Sequence, residues 1–285
     1  MRKTCAPKPP CPWVTAAGLS ACFCRRCLIR MECSFASRIT RWLILAGLAS
    51  VDAGGAAPAE SPGRLPGIVG HDDRVPLDST AWPWHSLGRL TINRERGEYC
   101  SGALIAPDVV LTAGHCLYNR VIKDWHRPEA ILFVAGLNRD HFQASVRGRA
   151  IEHDDSHYDQ SMPTLNQIAH DWALLRLEHP LPLKPLPLSP LPPGNDPGHL
   201  LRAGYSADRP FLLSLHDGCR LLDRLVDDRI LFTDCDSTYG DSGSPLLRRE
   251  KNGYWIVGVS SAIVKRGRHP GAYAVHVKTF IDRLN

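Results

Sequence analysis

The sequence predicts an all-β fold built in two halves, and three observations carry that expectation. Short apolar runs rich in valine, isoleucine and leucine recur between turn residues. No helical period of any length accompanies them before the last few residues. Between the halves, His179 to Gly198 holds eight prolines, a density that supports neither ladder nor helix and reads as an extended connector.

The elements follow in order. Ala103–Ala106 and Val109–Thr112 flank Pro107-Asp108, which is a hairpin signal. Ile131–Val134 is a further short strand. Asp171 heads the apolar run Trp172 to Leu177. After the connector come Leu200–Tyr205, Phe211–Leu215 and Ile230–Phe232. Tyr254–Val264, interrupted by Gly258, reads as a buried strand, and Gly271–Val277 follows it. Lys278 to Leu284 is expected to form a short C-terminal helix.

Composition limits the function. A chain of 285 residues with 44% hydrophobic and 22% charged side chains has ample material for a core. Its net charge of +5 is spread along the sequence rather than gathered in a stripe, which argues against a nucleic-acid partner. Of ten cysteines, six (Cys5, Cys11, Cys22, Cys24, Cys27, Cys33) fall in the first 33 residues. Cys22-Phe-Cys24-Arg-Arg-Cys27 lacks a second ligand pair at zinc spacing, so no metal is expected there.

Arg38 to Arg41, the apolar run Trp42 to Val51 and the small residues up to Ala59 form a secretory signal. The run is too short for a membrane span, so no stable membrane anchor is expected. Cleavage is expected after Ala53 or Ala57, and Met31 is an alternative start to Met1. The leader is placed at residues 1–67, with the signal at about 31–57 and a Gly/Ala/Pro-rich spacer to 67. In an exported chain, Cys100, Cys116, Cys219 and Cys235 read as two disulfides. A Cys100–Cys116 bridge closes about 15 residues and contributes on the order of 3 kcal/mol in the chain-entropy model.

Three stations carry chemistry. In Tyr239-Gly240-Asp241-Ser242-Gly243-Ser244-Pro245 the glycines let the backbone turn sharply and aim N–H groups at one point. A nucleophilic serine needs that arrangement, although a Gly/Ser surface turn has the same composition. His115 stands at the end of a strand beside Cys116, and an imidazole is the usual base for a serine. Asp171 heads an apolar strand, where a carboxylate requires hydrogen bonds or a cation, and orienting an imidazole meets that need. Glu152 to Asp159 is dense in oxygen and imidazole ligands and reads as a hydrated loop. A bound cation is the alternative there, though the spacing matches neither an EF-hand nor HExxH.

Thr112-Ala-Gly-His-Cys116, Asp171-Trp-Ala-Leu-Leu-Arg-Leu177 and Gly240-Asp-Ser-Gly-Ser-Pro245 together resemble the trypsin/chymotrypsin-like serine peptidases over about residues 67–284. The order His, Asp, Ser matches that family. Ser244 and the segment Gly67 to Trp84 resemble its bacterial V8 and glutamyl-endopeptidase branch. The resemblance implies two antiparallel six-stranded β-barrels, one over about 68–180 and one over about 199–277, with a cleft between them and the helix at 278–284.

It also implies roles. Ser242 is the nucleophile, His115 the base and then the acid, and Asp171 the orienter of the imidazole. The N–H groups of Gly240 and Ser242 form the oxyanion hole, and no cofactor or metal is called for. Asp241 is expected to be buried against a newly freed amino terminus at Ile68 or Val69, keeping the precursor inactive. No basic residue immediately precedes Ile68 in Leu65-Pro66-Gly67, although Arg64 is near.

In trypsins an aspartate six residues before the serine lies at the base of the specificity pocket, so the resemblance implies that role for Asp236, with Ser261 in the pocket wall and cleavage after Arg or Lys. Glutamyl-specific relatives carry a Gly-x-His pattern, whereas Gly258-Val-Ser260 has serine. Acidic and small-residue preferences are the alternatives. The expected protein is a secreted or periplasmic bacterial monomer acting on protein or peptide substrates. A catalytically silent binding homologue and an esterase are the rival functions; a quality-control protease with an appended PDZ domain is disfavoured.

Overall fold

The computed structural model describes residues 65–284 except 94–96, 155–157, 159–162, 195 and 265–269. The signal, the spacer to Arg64 and the six leader cysteines lie outside the described residues. Strand β1 (Val75–Leu77) does not join the first barrel, although the sequence placed its start near residue 68; it pairs antiparallel with Leu213–Leu215 of the second half.

The first barrel draws on β2 (Leu87–Asn93), β3 (Glu98–Ala106) and β4 (Val109–Thr112). A single helical turn, α1 (Gly114–Leu117), and the small hairpin of β5 (Tyr118–Asn119) and β6 (Asp124–Trp125) follow. Then come β7 (Leu132–Ala135), β8 (Ala144–His153), the short helix α2 (Leu165–Ile168) and β9 (Ala173–Leu177). Six of these strands close in the order β2-β3-β4-β9-β8-β7, every pair antiparallel. Leu90, Leu104, Val110, Phe133, Val146 and Leu175 fill the interior. Closure requires Gly88, because a Cβ there would lie 2.3 Å from the Phe133 ring.

The second half contains β10 (His199–Gly204), β11 (Leu213–Cys219), β12 (Leu221–Leu225) and β13 (Ile230–Thr233). It continues with β14 (Pro245–Glu250), β15 (Gly253–Val264) and β16 (Gly271–His276). The expectation of a second closed six-stranded barrel is corrected here. These strands and β1 make one eight-stranded sheet, ordered β1-β11-β10-β14-β15-β16-β13-β12. Only Arg220 separates β11 from β12, so the chain bends there from one side of the sheet to the other, and the Cys219–Cys235 bridge lies at the bend.

The C-terminal helix is also corrected. Val277–Thr279 and Ile281–Leu284 are separate 3-10 turns, divided at Phe280, whose backbone leaves the helical region at φ −135°. Phe280 is buried and stacks on Trp172, with 4.9 Å between ring centroids. Packing of that one ring outweighs helix propagation over so short a run.

The proline connector runs extended and touches both halves. Leu186 N–H donates to Leu104, and Ser189 and Ile256 N–H groups donate to Ile256 and Pro187 carbonyls. Buried Leu87, Leu111 and Leu174 of the first half share a core with Leu201, Tyr205, Leu247 and Val275 of the second. That seam positions the candidate site. Among the described residues no helix is long and apolar enough to cross a membrane.

Candidate active site

Strand register brings His115 and Asp171 together. Thr112 at the end of β4 pairs with Ala173 at the start of β9, so the residues just beyond each strand end are neighbours. The Cys100–Cys116 disulfide ties the turn carrying His115 to β3. On the other side, α2 begins with a capping box between Thr164 and Gln167, and Asp171 N–H donates to the Ile168 carbonyl.

Both oxygens of Asp171 are engaged. Oδ1 accepts the His115 backbone N–H at 2.7 Å, and Oδ2 lies 2.7 Å from His115 Nδ1. The Ser261 hydroxyl donates to the same Oδ2. Burial alone would raise the Asp171 pKa, but the charge and ring hydrogen bond of His115, with the Ser261 and backbone donors, hold it below the ordinary carboxylate value. An Nδ1–H donating to this carboxylate leaves Nε2 as the acceptor, the tautomer a general base requires.

The serine turn is shaped by its glycines. Gly240 has φ +85° and Gly243 has φ +80°. A Cβ on Gly240 would sit 2.5 Å from the Tyr205 carbonyl, and one on Gly243 would sit 2.1 Å from Thr112 Oγ1. Between them, Asp241 N–H donates to Thr238, Gly243 N–H to Ser260 and Ser244 N–H to Asp241. Among the described residues no acceptor pairs with the N–H groups of Gly240 or Ser242.

Ser242 and His115 line one cleft of about 680 Å³, together with Tyr99, Asp171, Ser237, Gly240 and Ser261. No hydrogen bond joins Ser242 Oγ to His115 in this structure, and Nε2 stands 3.8 Å from Cys116 Sγ. Such catalytic contacts are often long before substrate binds.

One expected role is corrected, that of Asp236, and the partners of Asp241 in the uncleaved chain were not foreseen. Asp241 is buried, and the pairing expected for it belongs to a freed amino terminus that the uncleaved chain does not carry. Here Asp241 accepts from Ser206 Oγ at 2.9 Å and Thr238 N–H at 2.8 Å, and pairs with Arg202 Nη1 at 2.7 Å. Ile68 N–H instead faces the Leu65 carbonyl at 3.4 Å.

Asp236 does not reach the cleft. Fully buried, it accepts Val69 N–H at 2.6 Å on Oδ1 and Asp73 N–H at 2.8 Å on Oδ2. Its own N–H donates to His216 Nδ1. Two backbone donors satisfy the carboxylate, so it anchors the Gly67–Asp73 segment rather than offering charge to a ligand. Ser261 lines the cleft as expected, while its hydroxyl is spent on Asp171.

Ser101, Arg202, Ser206 and Thr238 escaped the sequence reading. Ser101 joins the halves: its N–H donates to the Ser242 carbonyl, its Oγ donates to the Gly240 carbonyl and accepts Tyr205 N–H. Its place next to Cys100 was the only signal in the sequence. The expected hydrated loop at 152–159 is corrected in part: Glu152 and His153 end β8, where Glu152 pairs with Arg176, while Asp154 pairs with His170 and part of the remainder lies outside the described residues.

A closed β-barrel seamed to a second β-sheet, with a His–Asp pair and a glycine-framed serine in the cleft between them, defines the chymotrypsin-like class. Comparison with known proteins narrows this. Residues 100–259, more than half of the chain, match the model of the trypsin-like peptidase domain, and the chain belongs to that family.

The glutamyl endopeptidase of Bacillus licheniformis is 36% identical over 64 residues, a stretch covering 22% of this chain and 19% of that relative. The matched stretch therefore spans about a fifth of that relative's length. Among solved structures, a Glu endopeptidase in complex with MPD superposes with TM-score 0.62 at 21% identity, covering 76% of this chain and 98% of the other. A scabies mite inactivated protease paralogue, S-D1, gives 0.55 at 18% identity, over 70% and 90% of the two chains. These likenesses are likenesses of fold, shared by a protein described as inactivated; what the chain does rests on its own residues.

Proposed function

We propose that this chain is an exported serine endopeptidase that cleaves peptide bonds through an acyl-enzyme. The observation that carries the reading is the buried Asp171, gripping His115 through two hydrogen bonds in the same cleft as Ser242. Ser242 Oγ attacks the scissile carbonyl while His115 Nε2 takes its proton. The resulting oxyanion lies against the unpaired N–H groups of Gly240 and Ser242, and Asp171 stabilises the imidazolium. His115 returns the proton to the leaving amine. Water, activated by the same imidazole, then hydrolyses the ester on Ser242.

The residue before the scissile bond should be acidic rather than basic. An Arg/Lys preference rested on Asp236, and that carboxylate is occupied by Val69 and Asp73 N–H groups. Hydroxyl-bearing Ser237, Thr238 and Ser260 line the cleft beside Gly240 and suit an acceptor such as a carboxylate. The Bacillus relative's name, glutamyl endopeptidase, supports the same preference. Two disulfides and the leader support action outside the cytoplasm.

Digestion of a peptide library by the purified protein, with Ser242→Ala as control, tests the proposal. Cleavage after Glu or Asp that vanishes in the variant is the expected result. Dominant cleavage after Arg or Lys would overturn the specificity, and cleavage surviving in Ser242→Ala would overturn the mechanism.

A further inference from the structure

Asp171 follows directly on His170, and the His170 ring is held from both halves of the molecule. Its Nδ1 lies 2.8 Å from Asp154 Oδ2, just past β8, and its Nε2 lies 3.2 Å from Nη1 of Arg229 in the turn between β12 and β13. A guanidinium can only donate. Nε2 is therefore the acceptor, and Nδ1 carries the proton donated to Asp154. Asp154 is anchored in turn by Arg283, whose Nη2 stands 3.5 Å from Oδ1.

The turn that presents Arg229 is tightly determined. Val226, Asp227 and Asp228 hold φ angles of 52°, 54° and 62°, which non-glycine residues keep only where their surroundings impose them. The Asp228 carboxylate is tied to Arg224 at 2.9 Å and Lys278 at 3.1 Å. The Val226 carbonyl accepts both the backbone N–H and the Nε of Arg229, which leaves Nη1 to His170. Among the described residues no carboxylate pairs with this guanidinium, so a cation is directed at a neutral ring. The restraint reaches Asp171 through the backbone. The His170 carbonyl accepts the Trp172 N–H at 3.0 Å and the Tyr158 hydroxyl at 3.1 Å. The same hydroxyl abuts Gly114, the residue before His115, where a Cβ would collide with it.

We propose that Arg229 is a positioning residue, by which the second half sets the Asp171 carboxylate against His115 through His170. This rests on the peptidase reading of the cleft. Arg229 is not among the residues lining that cleft, so its loss should act on turnover rather than on substrate binding. A small displacement of a catalytic group is costly even when the altered residue is remote from the chemistry.

Steady-state kinetics on a peptide substrate test the proposal, with rates counted per site labelled to completion by a fluorophosphonate so that unfolded protein does not register. Arg229→Ala is expected to lower kcat by about tenfold and to leave KM within about twofold of wild type. In a His170→Ala background the same substitution should cost nothing more, because the ring through which it acts is gone. An unchanged kcat in Arg229→Ala, a rise in KM alone, or losses that add in the double variant would overturn the inference. An unlabelled wild type would instead overturn the peptidase reading itself.

Discussion

Replacing Arg202 with methionine removes the cation from a pair sealed inside the second half. Arg202 is 1% exposed and Asp241 0%. The guanidinium stands 2.7 Å from Oδ1 and also donates through Nε to the Asp236 carbonyl at 2.7 Å. Methionine keeps most of the volume but leaves Asp241 with only Ser206 Oγ and Thr238 N–H. Breaking a buried pair by removing one partner costs about 3–5 kcal/mol. For a domain of this size, a loss of that order lowers Tm by roughly 10 °C.

Asp241 lies between Gly240 and Ser242, so the turn should loosen as well and labelling of Ser242 should slow by about 10²-fold or more, the loss expected for one oxyanion donor. Thermal melts with parallel fluorophosphonate labelling read both effects. Adding Asp241→Asn removes the orphaned charge and should recover part of the lost stability. Because the guanidinium already neutralises Asp241 in the uncleaved chain, labelling should not await a new amino terminus. An Arg202→Met protein within about 1 kcal/mol of wild type, or a wild type that labels only after trimming to Ile68 or Val69, would refute this reasoning.

Three further outcomes are expected. Ser261→Ala deletes a hydroxyl donor to the buried Asp171 carboxylate, so kcat should fall about tenfold or more, and an unchanged kcat in steady-state assays would contradict its positioning role. Cys100→Ser/Cys116→Ser should lower unfolding stability by about 3 kcal/mol in urea titrations, and a loss below about 1 kcal/mol would contradict the loop-closure account. Asp72 is held at a pKa of about 2 chiefly by its hydrogen bond to Arg74. Its folded pKa is depressed, so its contribution is complete above about pH 4 and is lost as the pH falls toward about 2. Tm of the wild type should drop across that window more steeply than Tm of Asp72→Asn, and parallel curves would contradict the clamp.

What the sequence made legible was local. The hairpin at Pro107-Asp108, the strands around residues 200–204 and 253–264, and the glycines of the serine turn each follow from a few neighbouring residues. His115 and Asp171 were readable because each sits at a strand end in a short motif. The partners of the buried carboxylates were not readable. Asp241 could meet an amino terminus or an arginine, and only the fold brings Arg202 of β10 beside it in the uncleaved chain. Asp236 had the right spacing from Ser242 for a pocket base, but spacing says nothing about the Val69 and Asp73 N–H groups that occupy it. Val75–Leu77 was unassigned because three residues carry no period, and its place in the second sheet depends on register with β11. Phe280 ended the expected helix through a long-range contact with Trp172.

Fluorophosphonate labelling of the purified protein, followed by mass spectrometry of its peptides, tests the central claim most directly. A single adduct on the peptide containing Ser242 is expected, absent in Ser242→Ala and strongly slowed in His115→Ala. An unlabelled wild type, an adduct on another residue, or labelling that proceeds at full rate without His115 would contradict the account.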